Sequence, residues 1–311
     1  MLKIYNTPSR NIFAICKKHY YGIKPYILRR LRNSRFNQHI KQEIENRLEY
    51  IITGNPESLI IQEKQLYRFI LTYRRNRSRI DDQLKYIFDY SGFVKRRPNS
   101  SWNAYKLADQ LKVNTCFYCN RQYTFTVRKN GQKITRPQFD HYFSQSDHPL
   151  LGVSFYNLIP CCSICNQLKG DEPFTTDQYL YPYETGCGSE ANFTFIPKDY
   201  RTMVGLSDNM SIKLLELPTG QNREKINRQK DFFKLEEIYQ EHADYVQEII
   251  LKAHISKGQY FKWLQHLFGK GISTDDIYKM ALGNYSSEKD FDKRVLSKLT
   301  KDIAKEVKLI K

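Results

Sequence analysis

The chain has no run of about 18 or more apolar residues, so no membrane-spanning helix is expected. Its start has no apolar core of the kind a secretory signal carries. No acidic residue precedes Glu43, a composition shared with organellar transit peptides. The Tyr, Ile and Leu of the same stretch are those of folded helices, and we read it as folded. Internal repeats and low-complexity tracts are absent. The seven cysteines are an odd number, which argues against a disulfide framework. Four of them fall in two Cys-x-x-Cys pairs, a pattern of metal binding in a reducing compartment. A cytoplasmic location is therefore expected.

What is present is length, aromatic content and positive charge. The 311 residues allow two or three modules. With 40% hydrophobic and 14% aromatic residues the chain can bury a core, while 27% charged residues hold the mean hydropathy at −0.65. The formal net charge is +17, and residues 1–112 carry 23 Lys/Arg against 9 Asp/Glu, a net +14. Such a field attracts polyanions, nucleic acid first and an acidic membrane surface second. The plain alternative is a solvated surface.

Residues 1–112 read as a basic helical module. Ile40, Ile44, Leu48, Ile51 and Ile52 recur at helical spacing, and Gly54 ends that pattern. Asn55-Pro56 restarts a helix, carried by Leu59, Glu63, Leu66, Phe69, Ile70 and Tyr73 toward the run Arg74, Arg75, Arg77, Arg79. Pro98 and Ser100-Ser101 punctuate the chain before a helix from Trp102. The period changes at Asn114. A β-prone run over 122–128, the hairpin signal Asn130-Gly131 and a second strand over 134–139 follow. A short helix bears Cys162, Cys165 and Lys169. Short strands are expected at 193–196 and 212–217. Helices resume from Arg223, with Ile238, Val246, Ile249 and Ile250 on one face and a cap at Ser273-Thr274. The division drawn is 1–112, 113–185 and 186–311.

Cys116-Phe117-Tyr118-Cys119 and Cys162-Ser163-Ile164-Cys165 are two knuckles separated by 42 residues. Each can turn two thiolates toward one tetrahedral ion, and four thiolates close a structural Zn²⁺ site. Free thiols on buried turns are the bland alternative. Cys161 could substitute as a ligand, and Cys16, Cys161 and Cys187 otherwise suit small buried positions. A closed four-Cys site keeps no open position for chemistry, so this zinc would fasten the fold.

Between and around the knuckles lie Asp140-His141, Asn157-Leu158 and Cys165-Asn166-Gln167-Leu168-Lys169-Gly170. The order Cys-x-x-Cys, Asp-His, Asn-Leu, Cys-x-x-Cys-Asn-x-x-Lys resembles the HNH endonuclease family, over about 55 residues. The resemblance implies a ββα-metal core. The expected class is thus α+β, a mainly helical protein with a central ββα-metal core stapled by a four-Cys zinc site. It also implies a phosphodiester hydrolase acting on DNA in the first place and RNA in the second, and leaving a 5′-phosphate and a 3′-hydroxyl. His141 would be the general base. Asp140 and Asn166 would ligate a catalytic Mg²⁺ or Mn²⁺, Asn157 would hold the histidine strand across the loop, and Lys169 would meet a phosphate or the developing charge. The residue types suit the chemistry: a neutral imidazole activates water at physiological pH, and hard oxygen ligands suit Mg²⁺. Asn166 stands where some members have His, and Ser144 where many have Pro. His148, beside Asp147, is the rival base.

Arg74, Arg75, Arg77, Arg79, Lys95, Arg96 and Arg97 would track a nucleic-acid backbone, and some of the 23 Tyr could stack on bases. The stretch from Ile212 through Arg223 to Tyr239 loosely resembles HNH subunits of Septu-type and retron-associated bacterial anti-phage systems, which implies an ATPase partner. The competing function is a non-catalytic zinc-ribbon module that binds nucleic acid or a partner subunit.

Overall fold

The computed structural model describes residues 1–95 and 102–310. The punctuation at Pro98, Ser100 and Ser101 and the cations Arg96 and Arg97 lie outside the described residues. The protein is mainly helical with small two-stranded sheets. The chain divides into two units, each discontinuous in sequence: Tyr5–Val113 with Thr124–Thr176, and Met1–Ile4 with Asn114–Tyr123 and Asp177–Lys311.

The first unit opens with helices α1 (Ile12–Arg32), α2 (Gln38–Thr53), α3 (Pro56–Leu71), α4 (Arg77–Ile87), α5 (Tyr90–Lys95) and α6 (Ala104–Leu111). Five of them start on asparagine. The side chains of Asn11, Asn37, Asn55, Asn76 and Asn103 each accept the backbone N–H three residues on, satisfying an otherwise orphan donor. The expected α2 stripe of Ile40, Ile44, Leu48, Ile51 and Ile52 is fully buried. Gly22 on α1 leaves room for Trp102, since a Cβ there would lie 2.5 Å from the indole Cγ.

Strands β1 (Val127–Lys129) and β2 (Gln132–Thr135) flank a turn in which Asn130 and Gly131 both take positive φ. The second strand expected over 134–139 is broken at Pro137, which has no N–H for a ladder. The chain resumes as β3 (Gln138–His141), which pairs antiparallel with β4 (Leu158–Cys161), and α7 (Ser163–Lys169) follows directly. The loop between β3 and β4 is fastened to the N-terminal helices. Ser154 Oγ donates to Ile51 O at 2.6 Å, and the His19 ring meets Val153 O at 2.8 Å. For this reason residues 124–176 group with the helices, where the sequence suggested a separate central module.

The second unit contains β5 (Ala191–Pro197), α8 (Tyr200–Met203), β6 (Met210–Glu216) and then α9 (Arg223–Phe232), α10 (Leu235–Gln240), α11 (Ala243–Ile255), α12 (Tyr260–Phe268), α13 (Thr274–Leu282) and α14 (Ser297–Glu306). β5 and β6 pair antiparallel over seven residues. The segment 114–123 belongs here because its polar groups end here. Leu2 N donates to Phe117 O at 2.7 Å, Tyr239 Oη donates to Cys119 O at 2.6 Å, and Asn120 Nδ2 reaches the carbonyls of Phe291 and Arg294 at 3.1 Å. Among the described residues no helix is long and apolar enough to cross a membrane.

Candidate functional site

The strand register sets Asp140 opposite Ile159 and His141 opposite Leu158. Asp140 is buried, and so is Lys169 at the end of α7. The Lys169 Nζ lies 3.5 Å from Asp140 Oδ1, donates to His141 O at 2.7 Å and sits 4.9 Å above the Phe174 ring. Two opposite charges brought into the core balance one another, which burial of either alone would not allow. The ammonium therefore ties α7 to β3. It is committed to the interior, and the sequence expectation that Lys169 meets an incoming phosphate is corrected.

Asn157 is fully buried and spans the loop. Its Oδ1 accepts Phe143 N at 2.7 Å, and its Nδ2 donates to Phe143 O and Leu151 O at 3.1 Å. One amide side chain thus fixes the backbone that leaves β3.

His141 is half-buried. Its Nε2 lies 2.9 Å from Gly152 O. A carbonyl can only accept, so the proton sits on Nε2 and the lone pair on Nδ1. Burial pushes its pKa down to about 4, opposed by the Gly152 hydrogen bond and assisted by the Lys169 charge. The ring is neutral near pH 7. The Tyr90 ring packs edge-on against it at 4.5 Å, and Tyr90 Oη donates to Phe139 O at 3.0 Å.

Asp140, His141 and Asn166 line one cavity of about 430 Å³, together with Tyr90, Arg136 and Asp171. Two oxygen-donating side chains and a neutral imidazole therefore share one concavity. Arg136, Tyr90 and Asp171 carried no motif signal: Tyr90 comes from helix α5, and Arg136 and Asp171 lie outside the residues that make up the motif. Arg136 belongs to a cationic group, with Arg128 and Lys133, whose side chains lie 5.3–5.7 Å from the Tyr105 ring. Burial and those two neighbouring arginines lower the Lys133 pKa. His148 is not among the lining residues. Its Nδ1 is 2.5 Å from Glu63 Oε2, a buried carboxylate on α3.

The seven cysteines are free thiols, and the sulfurs of Cys116, Cys119, Cys162 and Cys165 all lie within 4.8 Å of one another, buried. Tetrahedral ligation at a Zn–S distance of about 2.3 Å places sulfurs roughly 3.8 Å apart, which this cluster accommodates. Backbone N–H groups already point at two of the sulfurs, Arg121 N at Cys119 Sγ and Cys165 N at Cys162 Sγ, each at 3.4 Å. The four cysteines can hold a metal ion such as Zn²⁺. Cys161 lies outside the cluster, with its thiol 3.8 Å from Asn166 Oδ1. Cys16 and Cys187 are buried.

No protein-family model, no curated protein and no solved structure matches this chain.

Proposed function

We propose that this chain is a metal-dependent endonuclease of the HNH type that hydrolyses phosphodiester bonds in nucleic acid. The observation that carries the reading is the single cavity shared by Asp140, His141 and Asn166. His141 is suited to general-base work, because its N–H is anchored on Gly152 O and its Nδ1 is left to take a proton from an attacking water. Asp140 and Asn166 offer the hard oxygens that Mg²⁺ or Mn²⁺ prefers. When bound, that ion would supply Lewis acidity at the scissile phosphate and the leaving oxygen. Lys169 lies 3.5 Å from Asp140 Oδ1, so an ion held there would share that carboxylate with the ammonium. Arg136 lines the same cavity and would supply a cation for a phosphate bound there.

The four cysteines act as a structural zinc site on this reading. Purified protein is expected to carry one zinc per chain, and Cys116→Ser or Cys165→Ser to lose both the metal and the fold, because structural zinc binding is largely folding free energy. Well-folded protein without zinc would remove this assignment.

The decisive experiment incubates the protein with plasmid and with total RNA in Mg²⁺ or Mn²⁺, beside His141→Ala. Metal-dependent cutting that His141→Ala abolishes is the expected result. One observation favours the competing reading of a zinc-ribbon binding module: the Lys169–Asp140 pair would equally well serve a purely structural carboxylate. Binding to nucleic acid without cutting in either metal would select that module.

A further inference from the structure

The first unit contains a second, larger concavity of about 1040 Å³, formed by the turn after α1, the turn between α3 and α4, and α4 itself. Arg35, Arg74, Arg75 and Arg79 line it, with Tyr73 and Tyr86. We propose that this cleft binds single-stranded nucleic acid, with the four arginines on phosphates and the two tyrosines as stacking platforms for bases.

Four guanidinium groups share the cleft with one lining carboxylate among the described residues, Asp82. The side chains of Arg35, Arg75 and Arg79 have no hydrogen bond or ion pair among the described residues, whereas Arg74 Nη2 donates to Arg35 O at 2.6 Å and holds the turn. A fold gains nothing from gathering like charges in one concavity. A polyanion does gain, through counterion release.

The tyrosines set the strand state. Tyr73 is 45% exposed and Tyr86 37% exposed, and each ring is already backed by a planar group. His39 lies parallel to Tyr73 at 5.9 Å and 12°. The Arg30 guanidinium lies 4.1 Å from the centre of Tyr86, and Arg30 is itself held by Asp89 at 3.3 Å. A ring held in place gives up little rotamer freedom when a base stacks on it. A duplex presents phosphates but keeps its base faces inside its own stack, so only a single strand uses both sets of groups. The inference rests on the nucleic-acid reading above and names the form of nucleic acid held away from the Asp140–His141 cavity.

The test measures binding by the full chain in EDTA, using fluorescence anisotropy with a labelled oligo-dT of about 20 nucleotides, its RNA counterpart and a duplex of equal length. Tyr73→Ala with Tyr86→Ala is expected to weaken single-strand binding at least about 10-fold and to leave duplex binding within about 2-fold. Tyr73→Phe with Tyr86→Phe keeps the rings and is expected to bind like wild type. Arg75→Glu with Arg79→Glu is expected to weaken every probe and flatten the salt dependence. Comparing oligo-dT with its RNA counterpart distinguishes DNA from RNA as the source. Single-strand affinity unchanged in the alanine pair, or lost in the phenylalanine pair, overturns the proposal. No cutting is read, so a protein that binds in this way and never cleaves would sink the nuclease reading and keep this one.

Discussion

His19 and His141 share a lowered pKa and differ in exposure and in what their nitrogens do. Both have pKa values lowered to about 4, mainly by burial, with a backbone carbonyl opposing the shift. The two carbonyls belong to consecutive residues of one loop, Val153 for His19 and Gly152 for His141. His19 is fully buried, and its second nitrogen is also committed: Trp102 Nε1 donates to Nδ1 at 3.0 Å. His141 has no described hydrogen bond at Nδ1 and lines a cavity. A depressed histidine pKa therefore marks an apolar site, and an uncommitted ring nitrogen beside a cavity marks a group able to take up a proton.

The largest expected effect breaks the pair apart. His141→Ala is expected to lower cleavage by about 10²–10⁴-fold or more, with the melting temperature close to that of wild type. Its backbone tie through Lys169 does not depend on the imidazole. His19→Ala is expected to do the reverse. It removes the ring that accepts from the Trp102 N–H and meets the Val153 carbonyl, and it opens a hole beside Phe93 and Phe155, at a cost of about 3–5 kcal/mol. Urea unfolding should record that loss, while cleavage per folded molecule stays near wild type. A His19→Ala protein of wild-type stability would undo the comparison.

Next in size is the acid response. His19 keeps its neutral form when folded, whereas an unfolded chain takes up the proton near pH 6.5. Between pH 6.5 and 4 the unfolded state binds more protons, so stability is complete above 6.5 and is lost as the pH falls toward 4. The His19 share of that loss is about 3 kcal/mol. Denaturant midpoints at pH 7.5, 5.5 and 4.5 should show it, and His19→Gln should remove that share of the slope. An identical slope in both proteins would place the acid lability elsewhere.

Much of this was legible in the sequence, for identifiable reasons. The stripe from Ile40 to Ile52 declares a helix, because its period is local. The paired Cys-x-x-Cys motifs converge as their spacing suggests, and Asp140, His141 and Asn166 meet in one cavity. Pro137 shows why strand boundaries were less legible: β-prone residues continue across it, and its missing N–H decides the break. Lys169 was expected at a phosphate or the developing charge; lysine is rarely fully buried unless paired, and its partner Asp140 lies 29 positions away. His19 and Tyr90 carry no local signal at all. His19 gains its meaning from a loop, and Tyr90 from strand β3, that tertiary packing brings to it.

The smallest expected effect concerns Tyr90, which touches the site in two ways. Its hydroxyl donates to Phe139 O at 3.0 Å, and its ring edge meets the His141 ring at 4.5 Å. Burial pushes the Tyr90 pKa up to about 12, so the hydroxyl remains a donor at neutral pH. Tyr90→Phe removes the donation alone and is expected to cost about 1 kcal/mol of stability. The ring stays, so His141 keeps its neighbour and its bond to Gly152, and cleavage should fall by no more than a few-fold. Tyr90→Ala removes the ring as well and gives the imidazole room to turn, so its cleavage rate should fall well below that of Tyr90→Phe. Measuring both rates against both melting curves separates support from chemistry. If Tyr90→Phe alone abolished cleavage in a stable protein, the phenol would be part of the proton path, and the free nitrogen of His141 would no longer suffice to explain what sets it apart from His19.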